Sequence, residues 1–171
     1  MLQDNIWNDN SNRFVLYLDI MGFKDRVAKT DIGELKQLLL AFKTKNRKLK
    51  PLLENTAYGI KKEFMRMSQF SDSIVIITRS NTKEDLNRIT KAGVILMQTA
   101  LETGFALRGA VAAGNMVFDS ENQLFFGQAL VDAYLLEEQL SYYGIVFHDS
   151  AEKFVRESLE NNEDSTYFPI K

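Results

Sequence analysis

The sequence predicts an α+β domain with a mostly antiparallel sheet. Short apolar runs of strand length, such as FVLYLD at 14–19 and SIVIITRS at 73–80, alternate with longer segments whose apolar residues recur at helical spacing. With 171 residues, of which 45% are hydrophobic, the chain can bury one core of its own. We therefore expect a loose lead-in over residues 1–13, which are rich in Asn and Asp, and a single domain over 14–171.

The first six predicted elements are short apolar strands and helices with apolar residues at helical spacing. Pro51 is expected to end the first helical region, and the second helix is the clearest in the chain because Thr82 can cap its start and Gly104 can close it. The predicted order is strand, helix, strand, strand, helix and strand, at 14–19, 22–50, 61–70, 73–80, 83–103 and 105–118.

Further α/β elements extend this core. Asp149 stands in register with Glu152 to cap the last of the predicted helices. The expected elements are a strand, a helix, a strand, a helix and the start of a final strand, at 122–127, 128–140, 144–148, 150–162 and 167–171.

The order β-α-β-β-α-β is that of the ferredoxin-like, or split βαβ, arrangement. In that topology the third strand lies beside the first and runs antiparallel to it. Asp19 ends the first strand and Asp72 precedes the third. The topology therefore predicts that the two aspartates meet at one edge of the sheet.

Two neighbouring carboxylates repel each other unless a positive charge lies between them. Oxygen ligands favour a hard cation such as Mg²⁺ or Mn²⁺. Gly22 would let the chain turn sharply after Asp19 into a helix whose first amides suit phosphate. Taken singly, each aspartate fits a turn or cap residue better than a metal ligand. Taken together, in strands that the topology makes neighbours, the two favour a metal site, with the turn and cap roles as the alternative.

Composition excludes several other classes of site and partner. The chain has no cysteine and a single histidine, His148, so thiolate sites and the usual zinc spacings are excluded. The densest basic stretch, at 43–50, has no interleaved aromatic residues, and the net charge is −2, so we expect no nucleic-acid partner. No apolar run has membrane-spanning length, and no signal peptide is apparent, so we expect no membrane association and a cytoplasmic location.

Four motifs in order resemble those of class III nucleotidyl cyclases. LYLDIMGFKDRV is similar to their first metal motif and FSDSIVI to their second. LRGAVAAG resembles the strand that follows, and FGQALVDAYLLEEQ stands where those enzymes have a helix that opens with glycine. The resemblance spans residues 14–171 and implies a palm core, conversion of a ribonucleoside triphosphate to a 3′,5′-cyclic nucleotide and pyrophosphate, and a head-to-tail homodimer with composite active sites.

The resemblance also implies roles for individual residues. Asp19, Asp72 and the Ile20 carbonyl would bind two Mg²⁺ or Mn²⁺ ions. Arg108 would bind a phosphate or the opposite subunit, although a charge pair across the sheet explains it equally well. The remaining candidates contact the triphosphate through backbone amides or, for the lysine, through its side chain: Met21, Gly22, Phe23 and Lys171.

The sequence departs from purine cyclases at their selective positions. Val131 and Leu135 stand where those enzymes carry Asn and Arg, and Ser68 and Leu124 occupy the two base-selecting positions. This combination resembles the Pycsar-type pyrimidine cyclases of bacterial anti-phage defence, which implies UTP or CTP as substrate. In that branch a bulky aromatic narrows the base pocket, and Tyr58 is the candidate here.

Two alternatives belong to other functional classes. The loss of the Asn and Arg positions is also what a catalytically inactive, cyclase-like module for nucleotide binding or dimerisation would show. Another palm-type phosphotransferase is the third hypothesis, and the absence of a basic groove argues against a long nucleic-acid substrate for it.

Overall fold

In a computed structural model of the chain, the structure describes residue 7 and residues 9–57, 60–119 and 121–160. The strands are β1 (Ser11–Ile20), β2 (Glu54–Ala57), β3 (Ile60–Glu63), β4 (Met65–Phe70), β5 (Ser73–Thr78), β6 (Leu107–Asp119), β7 (Leu124–Phe126) and β8 (Gly144–Phe147). The α-helices are α1 (Phe23–Lys29), α2 (Ile32–Lys45), α3 (Lys50–Leu53), α4 (Lys83–Glu102), α5 (Gln128–Glu138) and α6 (Asp149–Glu160). None of these helices is long and apolar enough to cross a bilayer.

The main sheet has the strand order β4-β5-β1-β6-β7, and β8 pairs with β6. Only the β6–β8 pairing is parallel among the described strand pairs. β2 and β3 form a separate hairpin. The α+β class and the ferredoxin-like order are therefore confirmed, with β5, the third strand of the predicted core, beside β1 and antiparallel to it.

The alternation of side chains along β1 separates two layers. Phe14, Leu16 and Leu18 are fully buried in a core that also holds residues of α2, α4 and α6. Val15 faces the opposite side, where Ala129 and Ala133 of α5 complete a second, smaller cluster. Each strand residue thus follows the period of two that a sheet buried on both faces requires.

The predicted lead-in over residues 1–13 is wrong for its last part. β1 begins at Ser11, Trp7 is only 4% exposed, and the Arg13 side chain is fully buried. The Arg13 guanidinium donates to the carbonyl oxygens of Met116, Thr78 and Arg79 and lies over the Trp7 ring. These partners are distant in sequence, which is why a polar local composition concealed them.

The first helical region is broken where one helix was predicted. α1 ends at Lys29, and Asp31 caps α2 by accepting hydrogen bonds from the amides of Gly33 and Glu34. Pro51 lies in the first turn of α3 and does not end a helix there, because proline lacks only an amide that the first turn leaves unpaired.

Of the two predicted helix caps, the one at α4 is confirmed and the one at α6 is wrong. Thr82 caps α4 as predicted, since its hydroxyl accepts from the Asp85 amide at 3.2 Å. The predicted Asp149 cap is wrong: Asp149 is already helical, and the His148 ring Nδ1 accepts from the Ser150 amide at 3.2 Å. His148 therefore has a structural contact. The final strand predicted at 167–171 lies outside the described residues.

Candidate active site

The structure brings Asp19 and Asp72 together at one sheet edge. Asp19 pairs with Ser73 in the β1–β5 ladder, and the Ile20 amide donates to the Asp72 carbonyl at 3.1 Å. Asp72 lies in the β4–β5 turn, which Ser71 closes with φ of +55°. The prediction that Asp19 and Asp72 meet at one edge of the sheet is confirmed, because the end of β1 is hydrogen-bonded to the β4–β5 turn that holds Asp72.

A sharp turn follows Asp19 and leads into α1. Gly22 has φ of +69°, a left-handed conformation that suits glycine, and the Arg26 amide donates to its carbonyl as α1 begins. The Met21 amide donates to the Ala106 carbonyl at 2.9 Å. Met21 is therefore engaged within the protein, which contradicts its predicted role toward phosphate, whereas Gly22 and Phe23 remain at the opening of the helix.

Arg108 lies directly opposite Asp19 in the β1–β6 ladder. Its Nε is 2.5 Å from Glu137 Oε1 on α5, its Nη1 donates to the Leu140 carbonyl at 2.8 Å, and its Nη2 is 3.9 Å from Asp19 Oδ2. Of the two interpretations of Arg108, the pairing of charges within the chain is the one that the structure contains.

Acidic groups outnumber the cations close to this edge. Burial raises the pKa of Asp19, and the Asp72 charge raises it further, while Arg108 and Lys24 oppose the shift. Burial also raises the pKa of Glu137, against the effect of Arg108. The site therefore has a surplus of negative charge that a cation would relieve.

These groups border an open cavity of about 530 Å³. Tyr17 forms one wall, with its hydroxyl 2.8 Å from the Ser73 hydroxyl and its ring edge-on to Tyr134. Phe23 and Lys24, at the start of α1, form part of another wall. A volume of this order is sufficient for a small-molecule ligand.

Oxygen atoms are the donors that this edge offers to a metal. No group of three or more His, Cys, Asp or Glu side chains arranged to bind a metal occurs within the described ranges. Asp19, Ile20 and Asp72 border the same cavity and offer oxygen donors to it. Mg²⁺ is typically bound by one or two carboxylates together with water and substrate phosphates.

The predicted base-selecting residues lie elsewhere. Ser68 borders a second cavity, of about 570 Å³, with Phe118 and Phe125. Leu124 is exposed on β7 and lines neither cavity. The described chain therefore does not bring these two residues together with the paired aspartates. Tyr58 and Lys171 lie outside the described residues.

His148 does not form a catalytic triad despite suitable neighbours. Its Nδ1 is 2.9 Å from the Ser150 hydroxyl and 4.0 Å from Asp132 Oδ2. A Ser-His-Asp triad uses the two ring nitrogens for different partners. Because both contacts fall on one nitrogen, the arrangement is that of a helix cap.

Comparison with known proteins rests on structure alone. No protein-family model matches the chain, and no curated protein matches it in sequence. The guanylate cyclase domain of RhGC from Catenaria anguillulae, solved in complex with GTP, matches with a TM-score of 0.63 at 12% identity, over 85% of this chain and 82% of that one. A bacterial light-regulated adenylyl cyclase matches with a TM-score of 0.61 at 13% identity, over 85% and 79%.

A class III adenylyl cyclase-like ATP-binding protein from Pseudomonas aeruginosa also matches, with a TM-score of 0.58 at 13% identity, over 85% of this chain and 35% of that one. The chain has the fold of a class III nucleotidyl cyclase domain. At these identities the likeness establishes the fold, and the activity has to be argued from the site.

Sequence reasoning missed Glu137, Tyr17 and Lys24 as residues of this site. Glu137 is only 2% exposed, although it follows the apolar stretch of α5 in a position where a glutamate is normally solvated. The one signal in the sequence is the length of that apolar stretch, because a helix that is apolar nearly all round is normally covered on more than one side. Which carboxylate would be buried was decided by the position of Arg108.

Proposed function

We propose that the protein is a metal-dependent nucleotidyl cyclase that converts a ribonucleoside triphosphate to a 3′,5′-cyclic nucleotide and pyrophosphate. The observation that supports this most directly is the pair Asp19 and Asp72, held at one edge of a cyclase fold by the hydrogen bond from the Ile20 amide to the Asp72 carbonyl. A nucleotide complex of a protein with this fold, the RhGC domain with GTP, supports the same class of substrate.

The residues present fit a pair of divalent cations. The pKa of Asp19 is raised by burial and by Asp72, so the folded site destabilises its own charged form, and the donors are oxygens that Mg²⁺ and Mn²⁺ prefer. Asp19, Asp72 and the Ile20 carbonyl would hold the ions. When bound, such ions lower the pKa of the ribose 3′-hydroxyl and offset charge on the phosphate.

The chain itself would bind and orient the triphosphate. The amides of Gly22 and Phe23 open α1 beside Asp19, where they would donate to phosphate oxygens. Lys24, in the same cavity wall, would add positive charge. Arg108 would belong to the catalytic site, and Lys171 would bind the triphosphate. In the proposed reaction the ribose 3′-oxygen attacks the α-phosphorus and pyrophosphate leaves.

We further propose that the substrate is a pyrimidine nucleotide, UTP or CTP, as in anti-phage signalling. Support comes from Ser68 and Leu124 at the base-selecting positions, neither of which offers the charge pattern of a purine reader. The aromatic walls of the Ser68 cavity, Phe118 and Phe125, suit a base held by stacking. Tyr58 is the further residue proposed to narrow the pocket.

A homodimer with composite sites is the proposed assembly. Two apolar side chains one turn apart on α5, Val131 and Leu135, are each 48% exposed, and Phe126 on β7 is 57% exposed. Neighbouring apolar groups of this size on one face favour burial against another surface. Pairing through this face would bring the Ser68 cavity of one protomer toward the paired aspartates of its partner.

The test is incubation of the purified protein with ATP, GTP, CTP and UTP separately, with Mn²⁺ or Mg²⁺, followed by chromatography of the products. We expect cyclic UMP or cyclic CMP, and loss of at least about 99.9% of the product in an Asp19→Ala, Asp72→Ala variant. Glu152→Gln, which removes a carboxylate from an exposed ion pair on α6, is the matched control and should keep full activity. Sedimentation of the same samples reports the oligomeric state.

Each alternative result points to a different function. Cyclic AMP or cyclic GMP would contradict the pyrimidine assignment and leave the cyclase. No product from a dimeric sample would favour the inactive binding module, for which the engagement of Arg108 by Glu137 and the apolar residues Val131 and Leu135 are the supporting observations. Nucleotide binding without turnover would then be its expected property.

A further inference from the structure

The ion pair between Arg108 and Glu137 borders the same cavity as the proposed metal site. Neither of the aspartates proposed to bind metal is part of this pair. Glu137 is almost fully buried, and it contacts Arg108 at the Nε atom. The Leu140 carbonyl accepts from Nη1 on the same side. Two of the three guanidinium nitrogens therefore contact Glu137 in the last turn of α5 and Leu140 just after it, and the third, Nη2, is 3.9 Å from Asp19 Oδ2.

That distance matters because Arg108 and a metal ion would compete for the same carboxylate. A guanidinium in direct bidentate contact with an aspartate occupies both oxygens at about 2.8 Å. At 3.9 Å, Arg108 makes no such contact with Asp19. The contacts with α5 thus restrain the arginine from closing onto the residue that is proposed to bind metal.

The charges around the cavity also favour a position of Arg108 away from Asp19 as long as Glu137 is charged. When both are charged, Arg108 and Glu137 form a neutral pair, and the other charged residues that line the cavity are four acids and one lysine: Asp19, Asp25, Asp72, Glu138 and Lys24. If Glu137 lost its charge, a partly buried guanidinium would keep Asp19 as its nearest acidic neighbour in the cavity. Attraction between unit charges at such short distances is strong wherever water is partly excluded.

We propose that Glu137 is a positioning residue that restrains Arg108 and so keeps Asp19 available to a divalent cation. This inference rests on the proposed metal-dependent function, and it adds a residue to which neither the sequence motifs nor the paired aspartates drew attention. Glu137 would act through Arg108, which it contacts at the Nε atom.

The test measures Mn²⁺ binding alone, without nucleotide, by electron paramagnetic resonance titration of free Mn²⁺. We expect Glu137→Gln, which keeps the shape and removes the charge, to weaken Mn²⁺ binding about tenfold. The double variant Glu137→Gln, Arg108→Gln replaces the ion pair by a neutral pair, and it should bind Mn²⁺ within about threefold of wild type. Glu137→Asp, which restores the charge, should recover part of the loss.

Matched controls separate this role from a structural one. Glu152→Gln also removes one carboxylate of an Arg–Glu pair, far from the cavity, and should leave Mn²⁺ binding unchanged. Thermal unfolding of every variant reports whether it is folded. A double variant that is folded and binds as weakly as Glu137→Gln would overturn the proposal, because the loss would then not come from a released arginine.

The outcomes also distinguish this inference from the function on which it rests. If Asp19→Asn abolishes Mn²⁺ binding while Glu137→Gln binds like wild type, the metal site stands and the role of Glu137 is refuted. If wild type binds no Mn²⁺, both the metal-dependent function and the inference fail. Weak binding by Glu137→Gln, restored in the double variant, supports both.

Discussion

The two ends of β1 both carry a charged residue, and they use it in opposite ways. Arg13, near the start, is fully buried, and its donors are directed at backbone carbonyl oxygens and at the Trp7 ring. Asp19, near the end, is partly exposed in a cavity beside Asp72, and Arg108, opposite it, is held by Glu137. One charge is satisfied within the fold, whereas the other remains incompletely balanced.

On this one strand, Arg13 contributes to stability, whereas Asp19 belongs to the proposed functional site. Burial lowers the pKa of Arg13, and the cost is offset by the carbonyl oxygens that accept from its guanidinium. Burial raises the pKa of Asp19, and the cost has no full compensation within the described chain. A cation at this edge, as in the proposed metal site, would offset that cost.

Breaking the Arg13 end should give the largest change in stability. Arg13→Met removes the guanidinium and leaves the carbonyl oxygens of Met116, Thr78 and Arg79 with lost donors, so we expect the free energy of unfolding to fall by about 3 kcal/mol. Urea denaturation measures it, and the melting temperature should fall by about 10 °C.

The control for this variant is Arg156→Met, which removes an exposed arginine on α6 and should change the free energy of unfolding by less than about 0.5 kcal/mol. The folded Arg13→Met protein, kept at low temperature, should still bind Mn²⁺. Equal stability of Arg13→Met and wild type would show that the buried end of β1 contributes little to the fold.

Neutralising the Asp19 end should have a smaller effect of the opposite sign. Folding raises the pKa of Asp19 above its ordinary value of 3.8, so the folded chain holds this proton more tightly than the unfolded chain does. As the pH rises through that interval, the free energy of unfolding therefore decreases. Asp19→Asn lacks this loss and should be more stable than wild type by about 1 kcal/mol at pH 7 without metal.

Melting curves from about pH 3 to pH 8 test this expectation. The advantage of Asp19→Asn should disappear below the ordinary carboxyl pKa, where both chains are neutral at this position. Added Mn²⁺ should raise the melting temperature of wild type and leave that of the variant nearly unchanged. A variant less stable than wild type at pH 7 would mean that Asp19 is already balanced within the fold.

The smallest change in the free energy of unfolding is expected for Tyr17, which lies on β1 between Arg13 and Asp19. Tyr17→Phe removes the hydroxyl that pairs with Ser73 and keeps the ring against Tyr134. Because the pair is partly buried, we expect a loss of about 0.5–1 kcal/mol in the free energy of unfolding, measured by urea denaturation. Ser73→Ala should cost a similar amount, and the two losses should not add if they report one hydrogen bond.

The sequence was most informative where local patterns determine the result. The strand-length apolar runs of β1 and β5 and the helical spacing of α4 with its Thr82 cap predicted the elements of the core, because buried strands and amphipathic helices place apolar residues in these patterns. The ferredoxin-like order then predicted that Asp19 and Asp72 would meet. That inference needed only the topology, and the β1–β5 register confirms it.

Local patterns failed at two positions where they allow more than one outcome. Pro51 was expected to end a helix and instead lies in the first turn of the next one. His148 takes the cap position expected of Asp149, because its ring nitrogen is placed to accept the Ser150 amide. In both cases the residue has more than one favourable use, and tertiary context selects among them.

By itself, the sequence determined the fold class, the order of the ferredoxin-like core, and the meeting of two aspartates at one edge. Only the tertiary structure decided that Trp7 and Arg13 belong to the core, that the Met21 amide is engaged, and that Glu137 contacts Arg108 beside Asp19. The physical reason is that the energy of a buried charge depends on which groups surround it. Those groups come from strands and helices that are far apart in the chain.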